Sequence, residues 1–570
     1  MAPPTFMGLT GRPLSLAVST VATTGFLLFG YDQGVMSGII TAPAFNNLFT
    51  ATKDSSTMRG FVTAVYEIGC LFGAIFILAL GDFLGRRRAI MMGGSIMILG
   101  VIIQVTAQSN ATPLAQFIVG RVITGVGNGI NTSTIPTYQA ECSKTSNRGL
   151  LICIEGGVIA FGTLIAYWVD YGASYGPPSL TWRFPIAFQI IFALVVAIPT
   201  YWLPESPRWL LTRGLDAEGT AVIAALRGLE VDSKETILQR QIILDSIAAS
   251  GYAGKKNTPL KACFTGGKTQ HFRRMMLGVS SQFMQQVGGC NAVIYYFPIL
   301  FEQSIHQSHS ISLLLGGINM IVYSIFATVS WFIIERAGRR KLFLWGTVGQ
   351  GLSMVLVFSC LIPGTEAAAK GAAVGLFTYI ASFGATWLPL PWLYPAEINP
   401  LKTRAKANAL STCSNWLFNF LIVMITPILI DHIHWGTYLF FALLNASFLP
   451  VIYLWYPETR RRSLEEIDVI FARGFADGGR GGGGDGDRGN VVVAVGDDGD
   501  GEGDGGSRVG AKGTMRWRRG DRYVRAAREM PYLSDEAIER EQRRYGLVDD
   551  ASGRVEVRGG GGGSIIVKNG

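Results

Sequence analysis

Two ionisable residues sit where such residues are rare. Asp32 lies deep in an apolar stretch over 14–40, and Arg121 lies within another over 114–138. A charge near the centre of a bilayer costs about 2.5–3.5 kcal/mol even on insertion scales, so both groups are expected to face a protein interior or a hydrated cavity. A carboxylate there is suited to taking up and releasing a proton. A third cluster is neutral. Gln285, Gln286 and Asn291 are amides within the apolar stretch 273–299, and an amide both donates to and accepts from hydroxyl groups. On an unbroken helix Asn291 would point roughly 140° away from Gln286. Gly288-Gly289 stands between them and permits a break that turns Asn291 back towards the same side. Backbone exposed by such a break is tolerated in a membrane only where it lines protein or water. The plainer alternative is that these amides join helices together.

The elements that must position these residues follow from composition. The chain has 570 residues, 49% hydrophobic and only 16% charged, with a mean hydropathy of +0.32. Soluble domains carry roughly 25% charged residues, and here the charge is gathered into short segments and a polar tail. Stretches of about 20 apolar residues lie between them, the length that crosses a bilayer core as a helix. An ordinary soluble domain, a coiled coil and a small disulfide scaffold are excluded, as is a spanning β-barrel, whose strands are shorter and alternate. The seven cysteines form no C-x-x-C pair and lie mostly in apolar stretches, so neither a disulfide framework nor a zinc site is expected. The formal charge of +9 comes from Lys and Arg in short loops, where membrane topology puts them, and calls for no nucleic-acid partner. Met1 to Pro13 holds one basic residue and no small-residue cleavage site, so no cleavable leader is expected.

Twelve spans are expected, at 14–40, 58–80, 89–108, 114–138, 149–170, 184–203, 273–299, 311–333, 342–362, 371–394, 408–428 and 435–456. Arg86, Arg87, Arg88, Lys144, Arg148, Arg336, Arg339, Arg340, Lys341, Lys402, Arg404, Lys406 and Arg460 to Arg462 gather on one side, which the positive-inside rule makes cytoplasmic, with both termini. Landmarks then recur. Gly85-Arg86-Arg87 returns as Gly338-Arg339-Arg340 and Pro204-Glu205 as Pro457-Glu458, both at an offset of 253; Glu141 and Arg148 return as Glu397 and Arg404 at 256. The chain is read as a tandem duplication of a six-span unit: an all-α membrane protein of the major facilitator plan, with substrate bound at the midplane between halves. The expected divisions are a cytoplasmic start (1–13), a first half (14–203), a cytoplasmic helical linker (204–272), a second half (273–456) and a cytoplasmic tail (457–570). Helical patterning in the linker covers Asp216 to Glu230 and Thr236 to Ser250. After about residue 476 the Gly- and Asp-rich composition predicts disorder, interrupted by one short helix from Ser534 to Arg544.

At this point the residues resemble the sugar porter family of the major facilitator superfamily, and most of all fungal monosaccharide and polyol carriers. The matching segments are Gly-Tyr-Asp-Gln-Gly-Val-Met-Ser-Gly (30–38), Gly-Asp-Phe-Leu-Gly-Arg-Arg-Arg (81–88), Pro-Glu-Ser-Pro-Arg-Trp (204–209), Gln-Gln-Val-Gly-Gly-Cys-Asn (285–291), Glu-Arg-Ala-Gly-Arg-Arg (335–340), Pro-Trp-Leu-Tyr-Pro-Ala-Glu-Ile (391–398) and Pro-Glu-Thr (457–459). They cover about 14–470. The resemblance implies that Asp32 is the proton-accepting carboxylate and Arg121 its partner; the alternative is a static ion pair that fixes packing. It implies substrate contacts from Gln285, Gln286, Asn291, Tyr295, Tyr296, Trp392, Asn415 and Trp416, with Phe29 as a wall beside Asp32. It implies a cytoplasmic gate of ion pairs from Asp82, Arg86, Glu141, Arg148, Glu205 and Arg208 in the first half, and Glu335, Arg339, Glu397, Arg404 and Glu458 in the second. Exposed pairs are each worth only about 0–1 kcal/mol, which suits a network remade on every cycle between states of similar energy.

Two positions depart from the family pattern. Gly156, preceded by Glu155, stands where a glutamine is usual, and Tyr323 stands where an asparagine is usual, with Asn319 one turn earlier on the same face. Two hydroxyl partners are thereby lost or moved. The sequence is accordingly expected to encode a plasma-membrane, multi-pass, monomeric proton symporter of a hexose or pentose, working by alternating access. A glycerol or polyol symporter and a transporter-like sugar receptor are the alternatives. No cofactor beyond the coupling proton, no metal and no enzymatic activity are expected, and the partners are a small sugar or polyol and membrane lipid. No phosphate-cradling Gly-Lys-Thr loop is present to use ATP.

Overall fold

The computed structural model describes residues 4–108, 112–143, 148–249, 260–304, 308–400, 402–479, 522–545 and 547. Its described elements are helices, with one isolated bridge between Phe6 and Leu9. The first half comprises span 1 (Arg12–Ile39), span 2 (Ser56–Leu84), span 3 (Arg86–Val105), span 4 (Pro113–Cys142), span 5 (Arg148–Ala173) and span 6 (Leu180–Thr200). The second comprises span 7 (His271–Val287 and Cys290–Ile299), span 8 (His309–Ala337), span 9 (Arg339–Leu361), span 10 (Glu366–Ser382, Phe383–Trp387 and Leu390–Ile398), span 11 (Arg404–Ile433) and span 12 (Gly436–Trp455). Nine of these are long and apolar enough to cross a membrane on length and composition alone, among the described residues.

The halves meet through two equivalent pairs. Span 2 packs along span 11, and span 5 packs along span 8. Adding six to each partner of one pair exchanges it for the other, which is what a two-fold duplication requires. Span 1 also packs on the second segment of span 7.

Local sequence explains the two breaks. Gly289 takes φ +97°, a left-handed conformation open to glycine, and a Cβ there would come within 2.8 Å of the Phe441 ring. Span 7 therefore stops at Val287 and restarts at Cys290. The carbonyl freed at Gly288 accepts from Tyr379 Oη at 2.9 Å and from Asn445 Nδ2 at 3.0 Å. Span 10 widens into a π-helical segment over Phe383–Trp387, ahead of Pro389. Here too the exposed carbonyls find side chains: Gln285 Nε2 donates to Trp387 O (2.9 Å) and Leu388 O (3.2 Å), and Gln282 Nε2 to Pro391 O (2.6 Å).

Between the halves lie helices Pro207–Thr212, Asp216–Arg227 and Lys234–Ala249. After span 12 a helix over Leu464–Gly479 is covered by two tail helices, Arg522–Glu529 and Asp535–Arg544. The second tail helix lies where the sequence predicts one; the first is a new finding. Tyr523 stacks on Phe471 with ring centroids 5.2 Å apart, under the Arg273 guanidinium, 4.3 Å from the ring centroid. Arg462 Nη2 donates to Ala527 O (2.9 Å) and Met530 O (2.6 Å).

Candidate substrate site and coupling charges

A small cavity lies between the halves, lined by Phe29, Gln33 and Ile159 from the first and by Gln285, Gln286, Cys290, Asn291, Ile294, Tyr323, Phe383, Leu388 and Trp392 from the second. Spans 1, 5, 7, 8 and 10 thus meet there, and both helix breaks face it.

The polar atoms of this lining divide into spent and free. Gln285 is spent: its amide nitrogen holds span 10, and its Oε1 accepts from Asn415 Nδ2 at 3.1 Å. Gln286 Oε1 accepts from Asn291 Nδ2 at 2.6 Å, and the same nitrogen donates to Asn419 Oδ1. Gln286 Nε2 and Asn291 Oδ1 remain without a hydrogen bond among the described residues, as do both amide atoms of Gln33. A donor, an acceptor and a whole amide are thereby offered to a hydroxyl-bearing ligand. The break at Gly288-Gly289 brings Asn291 beside Gln286, as the sequence predicts.

Other expected contacts stand further back. Asn415 lies behind Gln282 and Gln285 rather than on the lining. Trp416 is fully buried and meets the cavity through Phe29, whose ring lies 5.2 Å from it, edge to face. Phe29 also meets Trp392 at 6.2 Å. Tyr296 donates to Val423 O at 2.8 Å and Tyr295 to Glu67 Oε1 at 2.6 Å, so both tyrosines leave the lining to bond elsewhere. Gln33 went unnoticed in the sequence, although it is the neighbour of Asp32. Both departures from the family pattern acquire reasons. A Cβ on Gly156 would lie 3.2 Å from Pro389 Cα, so a larger side chain there would press on the broken span 10. Tyr323 itself lines the cavity, while Asn319 is fully buried with both amide atoms unpartnered among the described residues. Glu155 is 1% exposed, and neither carboxylate oxygen has a partner among the described residues.

Asp32 and Arg121 are both fully buried, yet they do not touch. Tyr66 of span 2 stands between them. Its hydroxyl donates to Asp32 Oδ2 at 3.0 Å, and the Arg121 guanidinium lies over its ring, 4.7 Å from the centroid. Arg121 Nη2 donates to Thr63 O at 3.1 Å. Asp32 Oδ1 and Arg121 Nε have no partner among the described residues. The link is a cation–π contact in series with a charge-assisted hydrogen bond.

At the end of the bundle that carries the two Gly-Arg-Arg turns, the halves build one pattern twice. Arg86 pairs with Glu141 (3.0 Å) and Asp82 (3.5 Å); Arg339 pairs with Glu397 and Glu335, both at 2.6 Å. Ser206 Oγ donates to Glu141, and Thr459 Oγ1 to Glu397, each at 2.6 Å. The expected pairing of Glu205 with Arg208 is replaced by a capping role. Glu205 accepts from the backbone amides of Arg86 (3.0 Å) and Arg87 (3.1 Å), and Glu458 from those of Arg339 (2.8 Å) and Arg340 (3.2 Å). The first amides of a helix lack partners within it and attract negative charge, which is why an acid sits there in both halves. Burial nonetheless pushes the Glu205 carboxyl above its ordinary value, against the pull of the Ser206, Arg87 and Arg86 amides. Arg404 Nε donates to Asn399 O at 3.1 Å; the Arg148 side chain lies outside the described residues. Among the described residues, the ion pairs named here each join residues of one half. Across the halves on this side, Lys406 Nζ donates to Leu78 O at 3.2 Å.

Two six-helix halves around a shared midplane cavity define a major facilitator transporter. The profile of the family described as "Sugar (and other) transporter" matches residues 18–471, and the chain belongs to that family. Among its relatives, Major facilitator superfamily transporter mfsA of Aspergillus fumigatus is 46% identical over 485 residues, covering 83% of this chain and 89% of the relative. Sugar transporter STL1 of Saccharomyces cerevisiae is 45% identical over 478 residues, covering 83% and 84%. Among solved structures, the proton:xylose symporter XylE bound to 6-bromo-6-deoxy-D-glucose aligns with a TM-score of 0.69 at 25% identity, covering 81% of this chain and all of that one. The protein is a multi-pass membrane transporter and not an enzyme.

Proposed function

We propose that this protein is a proton-coupled symporter of a monosaccharide in the plasma membrane, with both termini cytoplasmic, and that it works as a monomer by rocking its halves about the midplane cavity. The observation that carries this reading is the pairing of two kinds of chemistry across one cavity. The second half offers amides and aromatic faces suited to a polyhydroxylated ring. The first half holds Asp32 and Arg121 joined through Tyr66, with Asp32 next in sequence to the cavity residue Gln33. The similarity to STL1, a sugar transporter, and to XylE, a proton:xylose symporter, supports both parts. A small polyol is the second reading, favoured by Tyr323 occupying part of the cavity's wall. Uptake of radiolabelled glucose, xylose and glycerol in transport-deficient yeast, with external pH varied and a protonophore added, tests both. Concentrative, protonophore-sensitive uptake of a sugar supports the first; of glycerol alone, the second. Uptake of none of them, or uptake indifferent to the protonophore, would contradict proton symport of these substrates.

A further inference from the structure

The first half touches the cavity almost entirely with hydrocarbon. Of its lining residues Phe29, Gln33 and Ile159, only Gln33 carries hydrogen-bonding atoms on its side chain. Span 5 adds nothing polar beside Ile159. Glycines stand at 156 and 157; a Cβ on the first would lie 3.2 Å from Pro389 Cα, and one on the second would overlap the Trp331 indole nitrogen. The second half thus fills the space where span 5 could have offered a side chain. Gln33 lies one turn after Phe29 on the same face of span 1. Asp32 is turned about 100° away from it, towards the Tyr66 hydroxyl.

Gln33 is also a fixed point. A Cβ on Gly30 would overlap Ile159 O, and one on Gly34 would lie 2.8 Å from Ala166 Cβ, so span 1 rests directly on span 5 to either side of it in sequence. Thr163 Oγ1 donates to Gly30 O at 3.0 Å across the same seam. Gln33 therefore moves with the first half. It is only 5% exposed, and a buried amide with no protein partner is costly, which makes a ligand the natural partner for it.

The halves are closed over the cavity at both ends. At the end that carries the Gly-Arg-Arg turns, Lys406 of span 11 donates to Leu78 O of span 2 at 3.2 Å. Towards the other end, Tyr295 of span 7 donates to Glu67 of span 2 at 2.6 Å, and Arg59 pairs with Asp431 at 3.4 Å. In this closed form Gln33 shares one cavity with Gln286 Nε2 and Asn291 Oδ1, the free atoms of the second half. When the halves part at either end, Gln33 goes with one and Gln286 and Asn291 with the other.

We propose that Gln33 is the residue on which substrate closes the transporter. A ligand held by Gln286 and Asn291 reaches Gln33 only as the halves come together, and the bond it then makes stabilises the closed form. This deepens the reading of the cavity as the substrate site and rests on it. A ligand shifts a conformational equilibrium only by what it binds better in one state than in the other. A bond made during closing therefore speeds that step and leaves the initial binding unchanged. The substrate class follows from the same geometry. It carries hydroxyls at two separated positions, one for the second half and one for the amide of Gln33; a compound hydroxylated at one end only is bound and not carried.

The test measures initial uptake in transport-deficient yeast of glucose, xylose or glycerol, whichever the parent carries, with surface abundance determined for each variant. Gln33→Met keeps the length of the side chain and removes both polar atoms, and Gln33→Asn keeps the amide on a shorter stem. Gln33→Met is expected to lower Vmax per surface molecule about three- to ten-fold, the worth of one hydrogen bond, with the apparent Km within about two-fold of the parent. The response to external pH should stay parental, and Gln33→Asn should recover part of the rate. Mono-deoxy analogues of the carried sugar, or propanediol for glycerol, identify the bond itself. For one of them the parent should be slowed by that same factor and Gln33→Met should slow it no further, because the residue and the hydroxyl act as a pair. A merely structural role would slow every analogue alike. If Gln33→Met keeps parental kinetics, raises Km at the parental Vmax, or slows every analogue by one factor, while Gln286→Ala still raises Km, the closing role is overturned and the cavity reading stands. If the parent carries none of the three compounds, or Gln286→Ala and Gln33→Met both keep parental kinetics, the cavity reading fails and this proposal with it.

Discussion

At the end of the bundle that carries the two Gly-Arg-Arg turns, Glu205 caps span 3 in the first half and Glu458 caps span 9 in the second, with Arg86 and Arg339 held by equivalent acids. At the midplane the halves share almost nothing. The first carries Asp32, Glu67 and Arg121 on unbroken helices; the second carries two broken helices, with Gln282, Gln285, Gln286 and Asn291 around them. A duplicated unit has kept its residues where both copies do the same mechanical work, holding helix ends together. On the proposed function it has diverged where the work differs, proton handling in one copy and ligand recognition in the other. The breaks belong with recognition because exposed backbone must be satisfied by side chains: Gln282 and Gln285 do this for span 10, while the break in span 7 brings the neighbouring amides Gln286 and Asn291 together at the cavity.

This division predicts separable defects, and Asp32→Asn should give the largest. It mimics the protonated form and keeps hydrogen-bonding capacity towards Tyr66, so substrate binding and downhill exchange should survive. Accumulation against a gradient should vanish, along with any stimulation by external acid. Initial uptake and steady-state accumulation of a transported sugar check this directly, and undiminished proton-dependent accumulation would break the comparison.

Gln286→Ala should act on the other side of the division. It removes the free Nε2 and the acceptor for Asn291, so the apparent Km should rise by about three- to thirty-fold, for a loss of roughly 0.7–2 kcal/mol in hydrogen bonding. The pH profile of the remaining uptake should not move. Gln285→Ala offers a sharper contrast. Its amide supports span 10 rather than facing ligand, so surface abundance should fall more than affinity.

At the shared inner face a third test compares the copies. Gly85 and Gly338 have φ of +82° and +90°, and a Cβ on either would come within 2.6 Å of a Glu205 or Glu458 carboxylate oxygen. Gly85→Ala and Gly338→Ala should each cost about 1–3 kcal/mol from backbone conformation alone, since such a φ with an extended ψ is open only to glycine, and displace the capping acid as well. Similar losses of thermal stability in the two purified variants would support equivalent roles. A loss confined to one copy would show that the duplication is only pictorial there.

The parts of this arrangement that were legible in the sequence are those with strong, local signals. Apolar length marked the twelve spans, Gly288-Gly289 marked the break in span 7, and the recurring Gly-Arg-Arg and Pro-Glu pairs marked the duplication. Glu67 was equally open to the rule that singled out Asp32, since it is a lone carboxylate in an apolar run, but no family motif drew attention to it. Gln285 and Gln286 look alike in sequence; only the path of span 10, widened ahead of Pro389, decides which one is spent on backbone. The pairing of Glu205 with nearby Arg208 was proximity along the chain. The structure prefers the amides opening span 3, because a helix start offers several aligned donors at once. The tail was read by its Gly- and Asp-rich composition, which hid the short amphipathic segment around Tyr523.

That segment supplies the smallest expected effect, and it marks one place where the inner faces do differ. Below the second half, the helix Leu464–Gly479 is gripped from both sides: Arg274 of span 7 pairs with Asp468 at 2.5 Å, and Tyr523 packs between Phe471 and Arg273. A Cβ on Gly474 would meet Tyr523 Cδ1 at 2.5 Å, so the ring lies directly on that helix. Tyr523→Ala removes the stacked ring and the cation–π contact, each worth about 0.5–1.5 kcal/mol, but leaves Arg274–Asp468 and the Arg339 network untouched. The tail helices should then open more often, and limited proteolysis within 522–545 should quicken several-fold. Transport per surface molecule should stay within about two-fold of the parent, since a change below ~0.5 kcal/mol is all that the intact networks would pass on. A large fall in that rate would mean that the tail is mechanically joined to span 7 through Arg273, making the second half's inner face a regulated copy of the first.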